Sequence, residues 1–525
     1  MKASSPEVTF FVGARSQAAP DTLVLTLRNW NDWYQYRTTF YVTYIDAEGA
    51  RHDLGTTKIA KIDHTYVNAE GGETPLPRSF SELDGKRYVS VGQTAYYYES
   101  MREQFGPAVS RDILRRLSDM AESPERLDSF AESGVVRESL MREVPAATIR
   151  NKFRRIVETG EATAAYAFTF TQEASDPLLP SIELDFEVRP NSLPPTNVHA
   201  LIGRNGSGKT TLLASIARTL LGEPLSRPGD GQLLTEDGNS LDVANLVYVS
   251  FSAFDEIHLP VLNKQLQWNI PYSYVGLRHI ARQKAEPLGR EVPEDLEARK
   301  ATLRPADLRE AFAESAHKLL EKGLRKTWKS ALATLESDPN FAEENISRLA
   351  RSSMDAGNIR AEARAIWEPL STGHKIVLLT ITRLVETVTE RTLVLMDEPE
   401  GHLHPPLLSA LVRALSSLLM AQNGVAIVAT HSPVVLQEVP RRCAYKVGKG
   451  QKPMRPAIET FGEGVGILTS EVFSLEVVDA GYHRLLVDSM LELGSYEAVL
   501  EKFGHELGFE ARALLRALSP VRADT

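Results

Sequence analysis

The chain has 525 residues, a formal net charge of −10, 42% apolar and 24% charged residues, the balance of a globular protein with more than one domain. Its one cysteine, Cys443, excludes a disulfide framework and a four-cysteine zinc module. The start lacks an apolar signal core, and no run reaches the roughly 18 apolar residues of a spanning helix, so a cytoplasmic protein away from membranes is expected.

Leu23, Leu25 and Leu27 alternate with Thr22, Val24 and Thr26, which predicts a strand. Residues 39–45 and 53–62 supply two more strands, and the polar stretch 68–87, with Gly71, Gly72, Pro75 and Pro77, reads as a loop. From about Tyr96 the period changes. Ile113, Leu114, Leu117 and Met120 share a helical face, and helical segments run to about Val157. Strand signals resume at 164–171 and 182–188. From Val198 the chain reads strand, glycine-rich loop and helix, the opening of a parallel α/β domain. A buried strand at 246–251 precedes a long helical insertion, clearest at 305–335 and closed by Asp338-Pro339. The α/β pattern then returns with a helix after Ser371, a strand at 392–396, a helix from Pro405 and a strand at 425–429. The implied units are a β-rich N-terminal part of the same lobe as the glycine-rich loop, with a helical insertion (1–163), the glycine-rich-loop lobe (164–254), the helical insertion (255–369), a second α/β lobe (370–444) and a mixed tail (445–525).

Gly203-Arg204-Asn205-Gly206-Ser207-Gly208-Lys209-Thr210 matches the phosphate-binding P-loop. Its glycines let backbone N–H groups curl round phosphates at the positive end of a helix dipole, with Thr211 following. Lys209 supplies a point charge for the outer phosphates, and the Thr210 hydroxyl suits Mg²⁺. Leu393-Val-Leu-Met-Asp397-Glu398 is an apolar strand ending in two carboxylates. Asp397 is placed to hold Mg²⁺ through water, and Glu398 to orient or deprotonate a water for attack on the γ-phosphate. Ser371 and Gly373, in Leu-Ser-Thr-Gly-His-Lys, lie at a helix start 26 residues before Asp397, counted from Ser371. Free N–H groups and a hydroxyl there make an anion site or simply a good N-cap. His431 ends the strand 425–429, in Ala-Thr-His-Ser-Pro.

The order of these four motifs resembles the ABC-type ATPase family, with its Walker A, signature, Walker B and switch-histidine elements. The form Asp-Glu-Pro-Glu-x-x-Leu-His-Pro resembles its non-transporter branch, including the OLD-type and Septu-type anti-phage ATPases. The resemblance implies an α/β fold with a parallel core, an antiparallel β subdomain and an inserted helical domain. It also implies ATP and Mg²⁺ as cofactors and a head-to-tail homodimer or higher even oligomer, in which Ser371 and Gly373 of one subunit cap nucleotide held by residues 203–211 of the other. Glu398 becomes the catalytic base and His431 the γ-phosphate sensor. The implied function is an ATPase that regulates an effector, a nuclease above all, in anti-phage defence. The alternatives are an ATP-gated DNA clamp or repair protein of the SMC type and, less favoured, a transporter's ATPase subunit. The family's Q-loop glutamine is missing after the strand 246–251, where Ser252 and Asp255 are the candidates to replace it.

The segment 255–369 holds 18 Lys+Arg against 18 Asp+Glu, neutral within an acidic chain. Lys318, Lys322, Arg325 and Lys329 fall at i, i+4, i+7 and i+11, which reads as one basic stripe on one helix: a solvated face or a DNA-backbone contact. His402 and His404 suggest a metal pair, but no third ligand accompanies them. The residues after Pro440 lack the Asp-x-Asp pair of a TOPRIM nuclease, so cutting is expected from another polypeptide, docked on the helical stretch 482–518.

Overall fold

The computed structural model describes residues 8–14, 18–28, 36–64, 72–130, 132–142, 144, 146–174, 180–222, 231–241, 243–251, 270–277, 304–351, 357–479 and 481–518. Ser252 and Asp255 lie outside them.

The first unit is a mixed six-stranded sheet of β1 (Thr9–Val12), β2 (Thr22–Leu27), β3 (Thr39–Ile45), β4 (Arg51–Lys61), β5 (Ser79–Phe80) and β6 (Tyr88–Gly92), in the order β5-β1-β2-β3-β4-β6. Only β1 and β2 pair in parallel. Helix α1 (Ala95–Arg116), broken at Gly106-Pro107, and α2 (Arg154–Thr159) accompany it. Phe10, Leu25, Tyr97, Met101, Ile113 and Ile156 belong to one core whose buried members all come from residues 8–157. This unit is therefore a domain with its own core, where the sequence suggested a part of the ATP-binding lobe. Strand patterning shows which face is buried but not which sheet a strand joins.

The domain is clamped to the rest at Glu390, a buried carboxylate. Arg155 Nη2 donates to Glu390 Oε1 at 3.1 Å, Lys152 Nζ lies 4.0 Å from Oε2, and Lys152 also donates to the Ala421 carbonyl at 2.9 Å. Burial pushes the Glu390 carboxyl up and the Lys152 ammonium down, the desolvation cost of such a pair.

Strands β7 (Tyr166–Gln172) and β8 (Ile182–Val188) pair antiparallel, and β9 (Val198–Ile202) leads into α3 (Lys209–Leu221). Next come β10 (Gln232–Thr235), β11 (Asn245–Ser250), β12 (Tyr272–Gly276), α4 (Pro305–Glu321), α5 (Arg325–Leu335) and α6 (Ile359–Trp367). Helix α7 (Thr372–Thr387), β13 (Thr392–Asp397), α8 (Pro405–Ala421), β14 (Val425–Thr430) and β15 (Ala444–Lys446) complete the core. Its parallel sheet runs β12-β11-β13-β14-β9-β15, and β8-β7-β10 form a separate antiparallel sheet. The parallel strands are apolar on both faces, as strands covered by two layers must be. Val394, Met396, Ala426 and Val428 face α7, α8 and the insertion; Leu393, Leu395, Ile427 and Ala429 face α3 and the antiparallel sheet.

The described helices of the insertion pack on the core. Phe312, Trp328, Leu332 and Trp367 share the core of α7 and α8, and the Trp328 indole donates to Thr382 Oγ1 at 3.1 Å. The basic stripe also changes. The run 305–335 is two helices, because Lys322 caps α4 and Gly323 turns left-handed with φ +70°. Lys318 Nζ lies 3.4 Å from the Glu386 carboxylate, Lys322 donates to the Glu386 carbonyl, and Arg325 donates to the Arg351 carbonyl. Lys318, Lys322, Arg325 and Lys329 are thus divided between two helices and their junction rather than aligned on one helix.

The boundary at 444/445 moves as well. β15 crosses it and pairs with β9, while Leu468 still belongs to the main core. Helices α9 (Val465–Asp479), α10 (Gly481–Leu493), α11 (Tyr496–Lys502) and α12 (Phe509–Leu518) follow, and the last three share a small core of Leu486, Met490, Val499, Ala511 and Leu515. Among the described residues no helix is long and apolar enough to cross a membrane.

Candidate nucleotide-binding site

The C-terminal ends of β9, β14 and β13 lie side by side in the parallel sheet, the edge at which open α/β sheets place their ligands. β9 delivers the P-loop. Gly206 and Gly208 take φ of 77° and 95°, which a side chain resists, and a Cβ on Gly203 would stand 2.1 Å from the Val447 carbonyl oxygen. Helix α3 starts at Lys209 and aims its N-terminus into that loop. Arg204, Asn205, Gly206 and Thr211 are exposed, Ser207 is half-buried and Lys209 is buried.

Lys209 Nζ donates to the carbonyls of Gly203 (3.0 Å) and Arg204 (2.9 Å) and stands 3.8 Å from Glu398 Oε1. Burial pulls its ammonium below the ordinary value, and the carboxylates of Glu398, Asp397 and Glu400 oppose that pull. A lysine so placed is a desolvated cation suited to phosphate oxygens.

The Thr210 hydroxyl donates to Asp397 Oδ1 at 3.1 Å, and Asp397 is 2% exposed. A hydroxyl and a carboxylate in contact are hard oxygen donors of the kind Mg²⁺ takes alongside substrate phosphates. Glu398, the first residue beyond β13, adopts a left-handed backbone with φ 43° and ψ 60°. Its N–H donates to the Ala429 carbonyl at 2.9 Å. Such a conformation in a residue with a Cβ is strain held by the surroundings. It leaves the Glu398 carboxylate 3.8 Å from both Lys209 Nζ and His431 Nδ1.

His431 follows β14, which pairs with β13 so that Asp397 lies opposite Ala429. Five predicted residues, Lys209, Thr210, Asp397, Glu398 and His431, thus meet at one sheet edge. Ser371 and Gly373 make other contacts. Ser371 caps α7, its Oγ accepting from the His374 N–H at 3.2 Å, and a Cβ on Gly373 would lie 2.7 Å from the His402 carbonyl oxygen. His404 Nε2 is 2.9 Å from Asp338 Oδ2, and among the described residues no group of three or more His, Cys, Asp or Glu is placed to hold a metal ion.

Sequence reasoning passed over Glu400, treating it only as part of the loop after Glu398. Its Oε1 accepts from the Thr430 hydroxyl at 2.7 Å and from the His431 N–H at 2.6 Å. The repeated glutamate in Asp-Glu-Pro-Glu was the available signal.

A parallel sheet with a P-loop on one strand, a strand two places away that ends in buried Asp397 with Glu398 next, and a histidine after the strand between them defines a P-loop ATPase fold of the ABC type. Residues 299–437 match the family described as "AAA domain, putative AbiEii toxin, Type IV TA system". The chain belongs to the family of protein ea59 of Escherichia phage lambda, to which it is 35% identical over 521 residues, covering 93% of each chain. Among solved structures it is similar to the ADP form of an ABC-transporter ATP-binding cassette, at 15% identity and TM-score 0.30, over 60% of this chain and 98% of that one. A nucleotide-free ABC-transporter cassette gives 14% identity and TM-score 0.30, over 60% and 99%.

Proposed function

We propose that the protein binds ATP with Mg²⁺ and hydrolyses it, two copies closing head to tail around the nucleotide. The observation that carries this reading is the Thr210–Asp397 hydrogen bond at 3.1 Å, with Glu398 beside it and facing Lys209. Lys209 and the P-loop N–H groups bind the phosphates, and Thr210 and Asp397 hold the metal. The metal, when bound, neutralises charge developing on the phosphate oxygens. Glu398 orients and deprotonates the attacking water, and His431 contacts the γ-phosphate. Ser371 and Gly373 of the second copy close the site, which suits their position away from the P-loop of their own chain. Closure in turn sets the activity of an effector, a nuclease held by the C-terminal helices. The toxin–antitoxin description of the matched family and the phage relative support a role in conflict between phages and bacteria.

Phosphate release from ATP by the purified chain, compared with Lys209→Ala, tests the enzymatic core. Turnover well above that of the variant is expected. A wild-type rate no higher than the variant's would sink the reading.

A further inference from the structure

We propose that Glu400 is a positioning residue for His431. It fixes the ring's orientation, holds the proton on Nδ1, and keeps that nitrogen from pairing with Glu398. The inference rests on the ATPase reading above and adds a residue to its site.

The Glu400 side chain is 7% exposed, although its neighbours Gly401 and His402 in the 3-10 turn Pro399–His402 are exposed. Its Oε1 takes the Thr430 hydroxyl and the His431 N–H, and Thr430 Oγ1 in turn accepts from the Ser432 N–H at 2.9 Å. A loop anchor needs no more than these contacts. The ring goes further: His431 Nδ1 lies 3.1 Å from Glu400 Oε1 but 3.8 Å from Glu398 Oε1. Nδ1 is buried, and its contact with the oxygen falls short of hydrogen-bond geometry. Catalytic hydrogen bonds commonly tighten only when substrate is bound.

An ionised carboxylate only accepts hydrogen bonds, so the nitrogen facing it carries a proton, and the γ-phosphate, also an acceptor, is met by a second proton on the other ring nitrogen, Nε2. The division of labour follows from the distances. Two carboxylates compete for Nδ1. The nearer one takes it, and Glu398 keeps its lone pairs for water. Without Glu400, the ring can turn and pair with Glu398, which would cost both residues their roles.

Two measurements test this. In chains labelled with ¹⁵N-histidine, at a pH where the ring is neutral, the His431 signals, assigned with His431→Ala, should show the proton on Nδ1. Glu400→Ala should shift the population toward the Nε2–H form. This readout does not depend on turnover, so it decides the pairing even in a chain that hydrolysed no ATP, a result that would sink the ATPase reading alone. In kinetics, Glu400→Ala should lower kcat about 10- to 100-fold with KM changed less than about threefold. In a His431→Ala background the same substitution should cost less than about twofold, because its partner is gone. Glu400→Gln, which keeps an acceptor oxygen, serves if the alanine variant does not fold. Its loss should be smaller, at least about threefold, and should also vanish in the His431→Ala background. A ring spectrum unchanged by both Glu400 substitutions, or equal kinetic losses with and without His431, would overturn the proposal.

Discussion

Thr210 Oγ1 donates to Asp397 Oδ1 across 3.1 Å, joining residues 187 apart in the chain. The contact ties the first turn of the P-loop helix to the end of a strand two places away in the sheet. It fixes where these two oxygen donors stand relative to each other. Preorganisation of this kind lowers the cost of assembling a phosphate site.

Glu398→Gln should separate binding from turnover. The amide keeps the size of the carboxylate, and Lys209 still has the Gly203 and Arg204 carbonyls. The lost oxyanion is the one able to take a proton from water. ATP binding by calorimetry should stay within about threefold of wild type, while kcat falls at least about 100-fold. Light scattering of the ATP-loaded variant should show an accumulated dimer. Wild-type turnover by this variant would remove Glu398 from the catalytic role.

A mixing experiment examines the shared site. Gly373→Glu places a carboxylate where even a Cβ would stand 2.7 Å from the His402 carbonyl oxygen, so it disables the signature element. Lys209→Ala disables the P-loop. If the elements act in trans, each heterodimer of the two variants keeps one intact site, and a mixture of dead parents should recover activity. Verified heterodimers as inactive as both parents would count against a composite site.

The residues legible from sequence were those whose chemistry demands fixed types at fixed spacing. Gly203 to Thr210 is one contiguous loop, and Asp397 and Glu398 end an apolar strand. Glu400 escaped because its partners, Thr430 and His431, lie 30 and 31 residues onward, and only the pairing of β13 with β14 brings them together. The single-helix reading of the basic residues failed for a local reason. Counting by helical period assumed one helix through Gly323, and a left-handed glycine there rotates everything after it. The N-terminal domain was misassigned because alternation is blind to strand partners. All three depend on tertiary or backbone geometry that spacing does not encode.

Asp119 gives the N-terminal domain a pH-dependent stability. It is fully buried, and burial pushes its carboxyl up to about 7 despite donors from Tyr98 and the Ala121 N–H. From 3.8 to about 7 the folded state therefore binds more protons than the unfolded one. Stability from this group is complete below the lower value and is lost as pH rises through the upper one. The loss has an upper bound of about 4 kcal/mol. Asp119→Asn should flatten the dependence. Hydrogen exchange of residues 88–121 at pH values on either side of that window is the measurement. A wild-type domain equally stable at both ends would refute the assignment.

The last prediction concerns where the chain can be cut. Removing everything after Pro440 would strip β15 from the edge of the central sheet, where Val447 N–H also donates to the Ile202 carbonyl beside the P-loop. That truncation should abolish folding of the ATP-binding core. Residues 481–518 differ, because α10, α11 and α12 share a small core of their own. Their surface carries Tyr482, Leu485, Leu491 and Phe509, exposed by 47%, 57%, 80% and 91%. Deleting residues 481–525 should therefore leave ATP binding and turnover within about threefold of wild type, because these helices share a core apart from those of the motif-bearing strands and distant sites act independently. The same deletion should end co-purification with a nuclease encoded beside this gene, if that effector docks here. Loss of ATP binding on this deletion would show that the helices support the core. Retained co-purification would move the docking surface elsewhere on the chain.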